Sequence, residues 1–194
     1  MKKLVLIGDS IRMGYEPTVR TELSDLVTIW APEPNCQHTV NVLLNFMEWV
    51  VYQKPDVLHI NAGGWDTRNV IRGKPGNIVP LEVYEQNVRR ILTLAREHTP
   101  AKIIWATISP IDQEQNFNHH AKTGIPGRVG TDIPLYNESA KAIARSLDIQ
   151  VNDLHKFVSD YGPEKIRLND GVHYSDEGYR ILGREVARVL RPHL

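Results

Sequence analysis

Three residues near the two ends of the 194-residue chain have the types that serine-based catalysis uses. Ser10 directly follows a short apolar run and Gly8-Asp9, whereas Asp170 and His173 lie three residues apart in "LNDGVHYSDEGY". Across a turn, a carboxylate at this spacing can reach the Nδ1 hydrogen of the histidine, which leaves Nε2 free to face a nucleophile. A serine hydroxyl is unreactive at neutral pH without such a base. These residues therefore predict nucleophilic catalysis, provided that folding brings them together.

The elements that must position these residues are strands alternating with helices. Five apolar runs predict strands at residues 3–7, 26–30, 57–61, 103–107 and 149–152. None of the runs has a polar face, which is typical of a parallel sheet covered on both sides. Spacings of three and four between apolar residues predict helices over 40–51, 84–95 and 179–190, and Pro134 predicts a fourth that ends near 147. Pro17 fits a first helical position, so residues 10–16 are predicted to form a turn.

This alternation predicts a single domain over residues 1–194, an α/β/α three-layer sandwich around a five-stranded parallel sheet. Ligands of such sheets bind outside the carboxyl ends of the strands, where Ser10, residues 61–66 and the segment from Ser109 onward would meet. Two loops are predicted to be long, 67–80 and 109–133. The second is either a functional loop or a surface excursion, and both interpretations stay open.

Composition narrows the class of protein. The chain has 23 Lys and Arg and 23 Asp and Glu, so its formal net charge is zero. This disfavours binding to nucleic acid or to an acidic membrane surface. No run approaches the ~18 apolar residues of a membrane span. Cys36 is the only cysteine, which favours a reducing compartment. The apolar run at the start ends at Gly8 and suits a first strand better than a signal peptide. We expect a soluble, cytoplasmic protein, while a signal upstream of residue 1 and the oligomeric state stay open.

Three sequence blocks resemble those of the SGNH, or GDSL-type, hydrolases. "IGDS", "NAGGWD" and "DGVHYSDEGY" are similar to blocks I, III and V, and the resemblance extends from residue 4 to about residue 190. It implies a flavodoxin-like sandwich in which Ser10 is the nucleophile, His173 the base and Asp170 its orienting acid. It also implies a small-molecule ester as substrate and no metal or organic cofactor.

Two departures from the family pattern concern the oxyanion hole. Trp65 occupies the block III position of an asparagine that donates to the oxyanion, and "PEPNCQHT" lacks the block II glycine. The backbone N–H of Ser10 is a natural donor at the mouth of its turn. As replacements for the missing donors we rank Asn35 first and Asn61 second. The alternative for Asn61 is a strand-end residue that satisfies local backbone groups.

Substrate contacts are predicted at three further positions. Trp65 is either a wall that stacks on a sugar or acyl chain or a core residue, and Arg12 either contacts substrate or lies on the surface. His38 lies near the proposed active edge. We interpret the chain as a serine esterase for a short acyl group, with acetyl on a carbohydrate favoured because polar residues surround the site. The alternatives are a thioesterase or lysophospholipase, and a weakly active or inactive binding module.

Overall fold

A five-stranded parallel sheet forms the centre of the computed structural model, which describes residues 1–71, 74 and 76–194. The strands are β1 (Lys2–Ile7), β2 (Val27–Trp30), β3 (Val57–Asn61), β4 (Lys102–Ala106) and β5 (Gln150–Asn152). They lie in the order β2-β1-β3-β4-β5, and every neighbouring pair is parallel. This is the flavodoxin-like order. The five predicted strands are confirmed to within one residue at each end.

Helices cover both faces of the sheet. They are α1 (Ser10–Glu22), α2 (Thr39–Leu44), α3 (Leu81–His98), α4 (Gln113–Ala121), α5 (Ile133–Ser146), α6 (Leu154–Tyr161) and α7 (Asp176–Leu190). Successive side chains of a strand point to opposite faces, and β1 accordingly sends Val5 and Ile7 toward α2, α3 and α5. Its Leu4 and Leu6 enter the other core, beneath α1, α6 and α7. The predicted three-layer sandwich is therefore confirmed.

Helix α1 begins seven residues earlier than the proline suggested. The Asp9 side chain caps it by accepting a hydrogen bond from the Ile11 backbone N–H at 2.9 Å. Pro17 lies inside the helix, where its missing N–H leaves the carbonyl four residues earlier without a helical partner. Met13 and Pro17 both lie on the exposed side, so water can bond that carbonyl. The prediction of a turn over residues 10–16 is wrong.

Helices α1 and α7 pack against each other through glycines. A Cβ on Gly14 would overlap the Tyr179 ring, and one on Gly183 would lie 2.5 Å from the Thr18 Cβ. Both helices begin at the same edge of the sheet, α1 at Ser10 and α7 three residues after His173. This contact therefore brings Ser10 and His173, which lie near opposite ends of the chain, toward each other.

Two further segments differ from expectation. The apolar stripe over 40–51 is divided into α2 and a π-helical turn at Met47–Val51, because the Asn45 side chain donates to the Asn41 carbonyl at 2.9 Å and competes with the backbone there. The segment 109–133 contains α4 rather than a continuous loop. Within the predicted loop 67–80, residues 72, 73 and 75 lie outside the described residues. In the described part of the chain, no helix combines the length and apolarity needed to cross a membrane.

Candidate active site

Ser10, His173 and Asp170 form one hydrogen-bonded chain at the carboxyl edge of the sheet. Ser10 Oγ lies 2.8 Å from His173 Nε2, and His173 Nδ1 lies 2.5 Å from Asp170 Oδ2. Asp170 can fix the hydrogen on Nδ1, which leaves the Nε2 lone pair facing the serine hydroxyl. The imidazole is about one-third exposed, so a solvent-borne substrate can reach it. The arrangement has the geometry that a general base and its nucleophile need.

The turn that carries Asp170 and His173 is held by its own backbone. Asp170 Oδ1 accepts the backbone N–H groups of Val172 and His173, both at 2.9 Å. Burial raises the pKa of Asp170, but the hydrogen bonds from His173 and from the backbone outweigh it and leave the pKa below its usual value. Gly171 adopts a φ of 78°, a conformation that favours glycine. Asp170 is therefore fixed as a carboxylate pointing at the imidazole.

Helix α4 supports this turn from outside. The Asn116 side chain, 1% exposed, donates to the Asp170 carbonyl at 2.9 Å and accepts the Arg128 N–H at 2.8 Å. The Gly171 carbonyl accepts the Asp112 N–H at 2.8 Å, and Asp112 also pairs with Arg167 at 3.1 Å. The segment between β4 and α5 thus connects the Asp170–His173 turn to the opposite wall of the site.

The two amides proposed for the oxyanion hole have different surroundings. The Asn61 amide nitrogen donates to the Ala106 and Thr107 carbonyls at 3.2 and 3.0 Å, which uses both of its hydrogens to join β3 to β4. The prediction that Asn61 serves the oxyanion is therefore wrong, and the backbone role applies. Asn35 instead accepts the Gln37 N–H through Oδ1 at 2.8 Å. No hydrogen bond to another described residue occupies the amide nitrogen of Asn35.

Arg12 does not face the site as a substrate contact. Its side chain is 3% exposed and donates to Glu16 at 2.5 Å and to the Pro32 and Pro34 carbonyls at 3.0 and 3.3 Å. These bonds join α1 to the segment after β2. The prediction of a substrate-binding arginine at position 12 is wrong, because the side chain folds inward to satisfy backbone carbonyls.

His38 and Asp66 shape the loop after β2. His38 Nδ1 accepts the Asn41 N–H at 3.1 Å and caps α2, and burial lowers the pKa of this imidazole. Asp66, fully buried, accepts the Thr39 hydroxyl at 2.5 Å, and burial raises its pKa to about 6. The capping role of His38 does not test its predicted contact with substrate, which stays a prediction. Asp66 joins the loop after β3 to the start of α2.

Two arginines that the sequence did not mark lie near the Trp65 ring. The guanidinium carbons of Arg68 and Arg128 lie 4.3 and 5.3 Å from its ring centroid. Arg68 and Arg128 are also paired by an antiparallel backbone bridge. They are 60 residues apart in sequence, and no local pattern marks them as neighbours. In the part of the chain that the structure describes, no three His, Cys, Asp or Glu side chains are grouped to hold a metal ion.

Comparison with known sequences shows the family to which the chain belongs. The model of the GDSL-like lipase/acylhydrolase family matches residues 6–181. A GDSL esterase/lipase of Arabidopsis thaliana is 32% identical over 118 residues, which are 58% of this chain and 49% of the relative. The GDSL esterase/lipase WDL1 of Oryza sativa subsp. japonica is 26% identical over 142 residues, 71% of this chain and 54% of the relative. The chain thus spans about half the length of these relatives.

Solved structures share the fold. A lipase/acylhydrolase from Enterococcus faecalis superposes with a TM-score of 0.81 at 22% identity, covering 100% of this chain and 97% of that one. The acetyl xylan esterase AlAXEase superposes with a TM-score of 0.76 at 19% identity, covering 97% and 99%. Axe2, an acetylxylan esterase from Geobacillus stearothermophilus, gives 0.71 at 20% identity, covering 99% and 94%. At these identities the likeness shows the fold alone.

Proposed function

Because the chain belongs to the GDSL-like lipase/acylhydrolase family, we propose that it is a serine esterase that removes a short acyl group, acetyl first, from a polar alcohol such as a carbohydrate. The observation that carries this proposal is the 2.8 Å contact between Ser10 Oγ and His173 Nε2. This contact supports Ser10 as the nucleophile, His173 as the general base and Asp170 as the residue that orients the base.

The reaction proceeds in two acyl transfers. His173 Nε2 takes the proton of Ser10 Oγ while that oxygen attacks the ester carbonyl, and it then passes the proton to the departing alcohol. The acyl group is left on Ser10. Water enters, gives its proton to Nε2 and attacks the acyl carbonyl, which restores the serine and releases the acid. Asp170 remains ionised and stabilises the imidazolium in both steps.

Negative charge on the carbonyl oxygen needs donors, and we assign two. The Ser10 backbone N–H has no hydrogen bond to another described residue and opens α1, where the helix dipole favours negative charge. The Asn35 amide nitrogen is the second, because Oδ1 is already fixed by Gln37 while the nitrogen is uncommitted among the described residues. An oxyanion donor of this kind typically contributes ~3 kcal/mol to the transition state.

A short acyl group suits the polar character of the surroundings. We assign Trp65, Arg68 and Arg128 to one wall of the site, since the two guanidinium groups lie near the Trp65 ring. His38 lies in the loop after β2. These polar groups suit a short acyl group better than a long chain, which needs an aliphatic lining. Two of the solved structures with this fold are described as acetyl xylan esterases, which supports acetyl as the first acyl group to test.

A fluorophosphonate probe tests the nucleophile. We expect the probe to label the wild-type protein at Ser10 and the Ser24→Ala control equally, because Ser24 is an exposed serine bonded to the Thr21 carbonyl. Ser10→Ala should not be labelled. Failure of the folded wild type to react, together with no hydrolysis of any ester, would favour the binding module instead.

A chain-length series tests the acyl group. We expect kcat/KM for 4-nitrophenyl acetate to exceed that for 4-nitrophenyl octanoate, because the polar wall offers little apolar surface to an eight-carbon chain. A clear preference for the octanoyl ester would support the thioesterase or lysophospholipase alternative.

A further inference from the structure

The wall of the site beside Trp65 contains two positive charges that lack a carboxylate partner. Among the described residues, no Asp or Glu oxygen lies within 4.0 Å of a nitrogen of Arg68 or Arg128. Buried cations are normally paired, because removing their water without compensation is costly. Two unpaired guanidinium groups at one site therefore need an explanation.

Arg128 is fixed in place with most of its donors unused. It is 3% exposed, its backbone N–H donates to Asn116, and its Nε donates to the Gly64 carbonyl at 2.9 Å. A guanidinium has five N–H donors, and the Nε bond is its one hydrogen bond to described residues. The side chain is thus held rigidly while its terminal nitrogens remain available to a ligand.

Arg68 adds a second cation to the same wall. Its guanidinium stacks on the Trp65 ring, and its Nε is buried without a hydrogen-bond partner among the described residues. Burial is the larger and repulsion from Arg128 the smaller cause that lowers the pKa of Arg68 to about 10, so this side chain stays charged at neutral pH. Two like charges held together favour an anion between them.

This wall adjoins the proposed nucleophile. The Gly64 carbonyl that holds Arg128 belongs to a residue whose Cβ, if present, would lie 3.3 Å from Asp9 Oδ2. Asp9 immediately precedes Ser10. A small group bound at Arg128 is therefore close to an ester at Ser10.

Charges around the two arginines indicate the charge of the ligand. The charges of Asp9 and Asp170 act on Arg128, whereas the one charge that acts on Arg68 is that of Arg128. Among the described residues, Arg68 is therefore a cation that no nearby acid offsets. A single uncompensated cation matches a monoanion rather than a dianion.

The charges of both arginines also act on His120. Burial, followed by their charges, lowers its pKa, which keeps this imidazole neutral near pH 7. Neutral His120 leaves the balance of charge unchanged.

We propose that Arg68 and Arg128 bind a carboxylate carried by the substrate, so that the ester hydrolysed at Ser10 belongs to an acidic molecule. The inference rests on the proposed esterase function. A carboxylate is a planar monoanion that the guanidinium fork can bind in a bidentate manner, which suits the free terminal nitrogens of Arg128.

Three acetyl esters of similar shape test the proposal: 4-acetoxybenzoate, 4-acetoxybenzamide and 4-acetoxyphenyl phosphate. Each kcat/KM is divided by the rate constant of hydroxide-catalysed hydrolysis of the same ester, which removes differences in leaving group. We expect this normalised kcat/KM to be about tenfold or more higher for the carboxylate than for the neutral amide, since charge-assisted hydrogen bonds contribute stabilisation of that size. The dianionic phosphate should react more slowly than the carboxylate.

Variants of the two arginines test whether these side chains cause the preference for the carboxylate. Arg68→Gln and, independently, Arg128→Gln should each lower the ratio of carboxylate to amide toward one. The control Arg180→Gln, which breaks only a surface pair with Glu177, should keep the wild-type ratio. If Arg128→Gln fails to fold, the ratio measured with Arg68→Gln still tests the proposal, because Arg68 is less buried.

The outcomes separate the two proposals. Hydrolysis of the amide with a ratio at or below one, or an unchanged ratio in the folded arginine variants, overturns the carboxylate site and leaves the esterase intact. Preference for the phosphate overturns the choice of a carboxylate. No hydrolysis of the three esters and no labelling of Ser10 would remove the esterase and the carboxylate site together.

Discussion

Replacing Asp170 by asparagine tests how the imidazole is oriented. The asparagine Oδ1 can keep both backbone bonds of the turn, to Val172 and His173 at 2.9 Å. Its amide nitrogen then faces His173 Nδ1 at the position of the present 2.5 Å contact. Because that nitrogen donates, the imidazole must carry its hydrogen on Nε2, where it points at Ser10 and cannot accept a proton.

We expect Asp170→Asn to lower kcat by about 10³ to 10⁴, equivalent to about 4 to 5 kcal/mol of transition-state stabilisation. The free energy of unfolding should change by less than about 1 kcal/mol, because the backbone bonds remain. The measurements are kcat on 4-nitrophenyl acetate and urea unfolding, with the exposed Asp160→Asn as control. Retention of more than a tenth of kcat, or a loss explained by unfolding, would refute this account of the tautomer.

Three other changes probe the oxyanion, the buried acid and the helix contact. Asn35→Asp keeps the oxygen that caps its own turn and removes the donor, so kcat should fall about 100-fold; a change below threefold would contradict the assignment. Burial raises the pKa of Asp66 from 3.8 to about 6, so its proton stabilises the fold by up to ~3 kcal/mol below about pH 4, and this stability is lost as the pH rises from about 4 through 6. Urea unfolding at pH 4.5 and 7.5 should therefore show that the stability of Asp66→Asn relative to the wild type is greater at the higher pH. An equal pH dependence of the two proteins would contradict this role of Asp66. Gly14→Ala should lower the free energy of unfolding by about 1 to 3 kcal/mol and reduce kcat, since the new methyl overlaps Tyr179; an unchanged thermal midpoint would show that the helices shift freely.

The sheet and the three central residues could be predicted because their signals are local. Strands covered on both faces are continuous apolar runs, and the Asp170–His173 spacing fits a single turn. Helix α4 lacked such a signal. Its nine residues, QEQNFNHHA, bury only Asn116, and hydrogen bonds to distant backbone position it. The eight-residue α6 was missed as well; Asp153 caps it, and Leu154 and Val158 are its buried residues.

The arginines show why side-chain roles are harder to predict. Arg12 looked like a surface residue of a first turn, but its partners are carbonyls that follow β2. Arg68 and Arg128 become neighbours only through a backbone bridge between two loops. Pro17 likewise suggested by local rules that a helix begins at residue 17, whereas packing on α7 accompanies a helix that begins at Ser10. In each case a contact remote in sequence decided the outcome.

Docking of the first helix onto the last also has a kinetic consequence. Ser10 and His173 are 163 positions apart, and contacts between residues so distant in sequence form more slowly than the local contacts of a helix, because the entropy of closing the chain is lost before the contact is made. During refolding, far-ultraviolet circular dichroism can recover while the two residues are still separated. Hydrolytic turnover would therefore be among the last properties to return, and its appearance would mark the completion of the native topology.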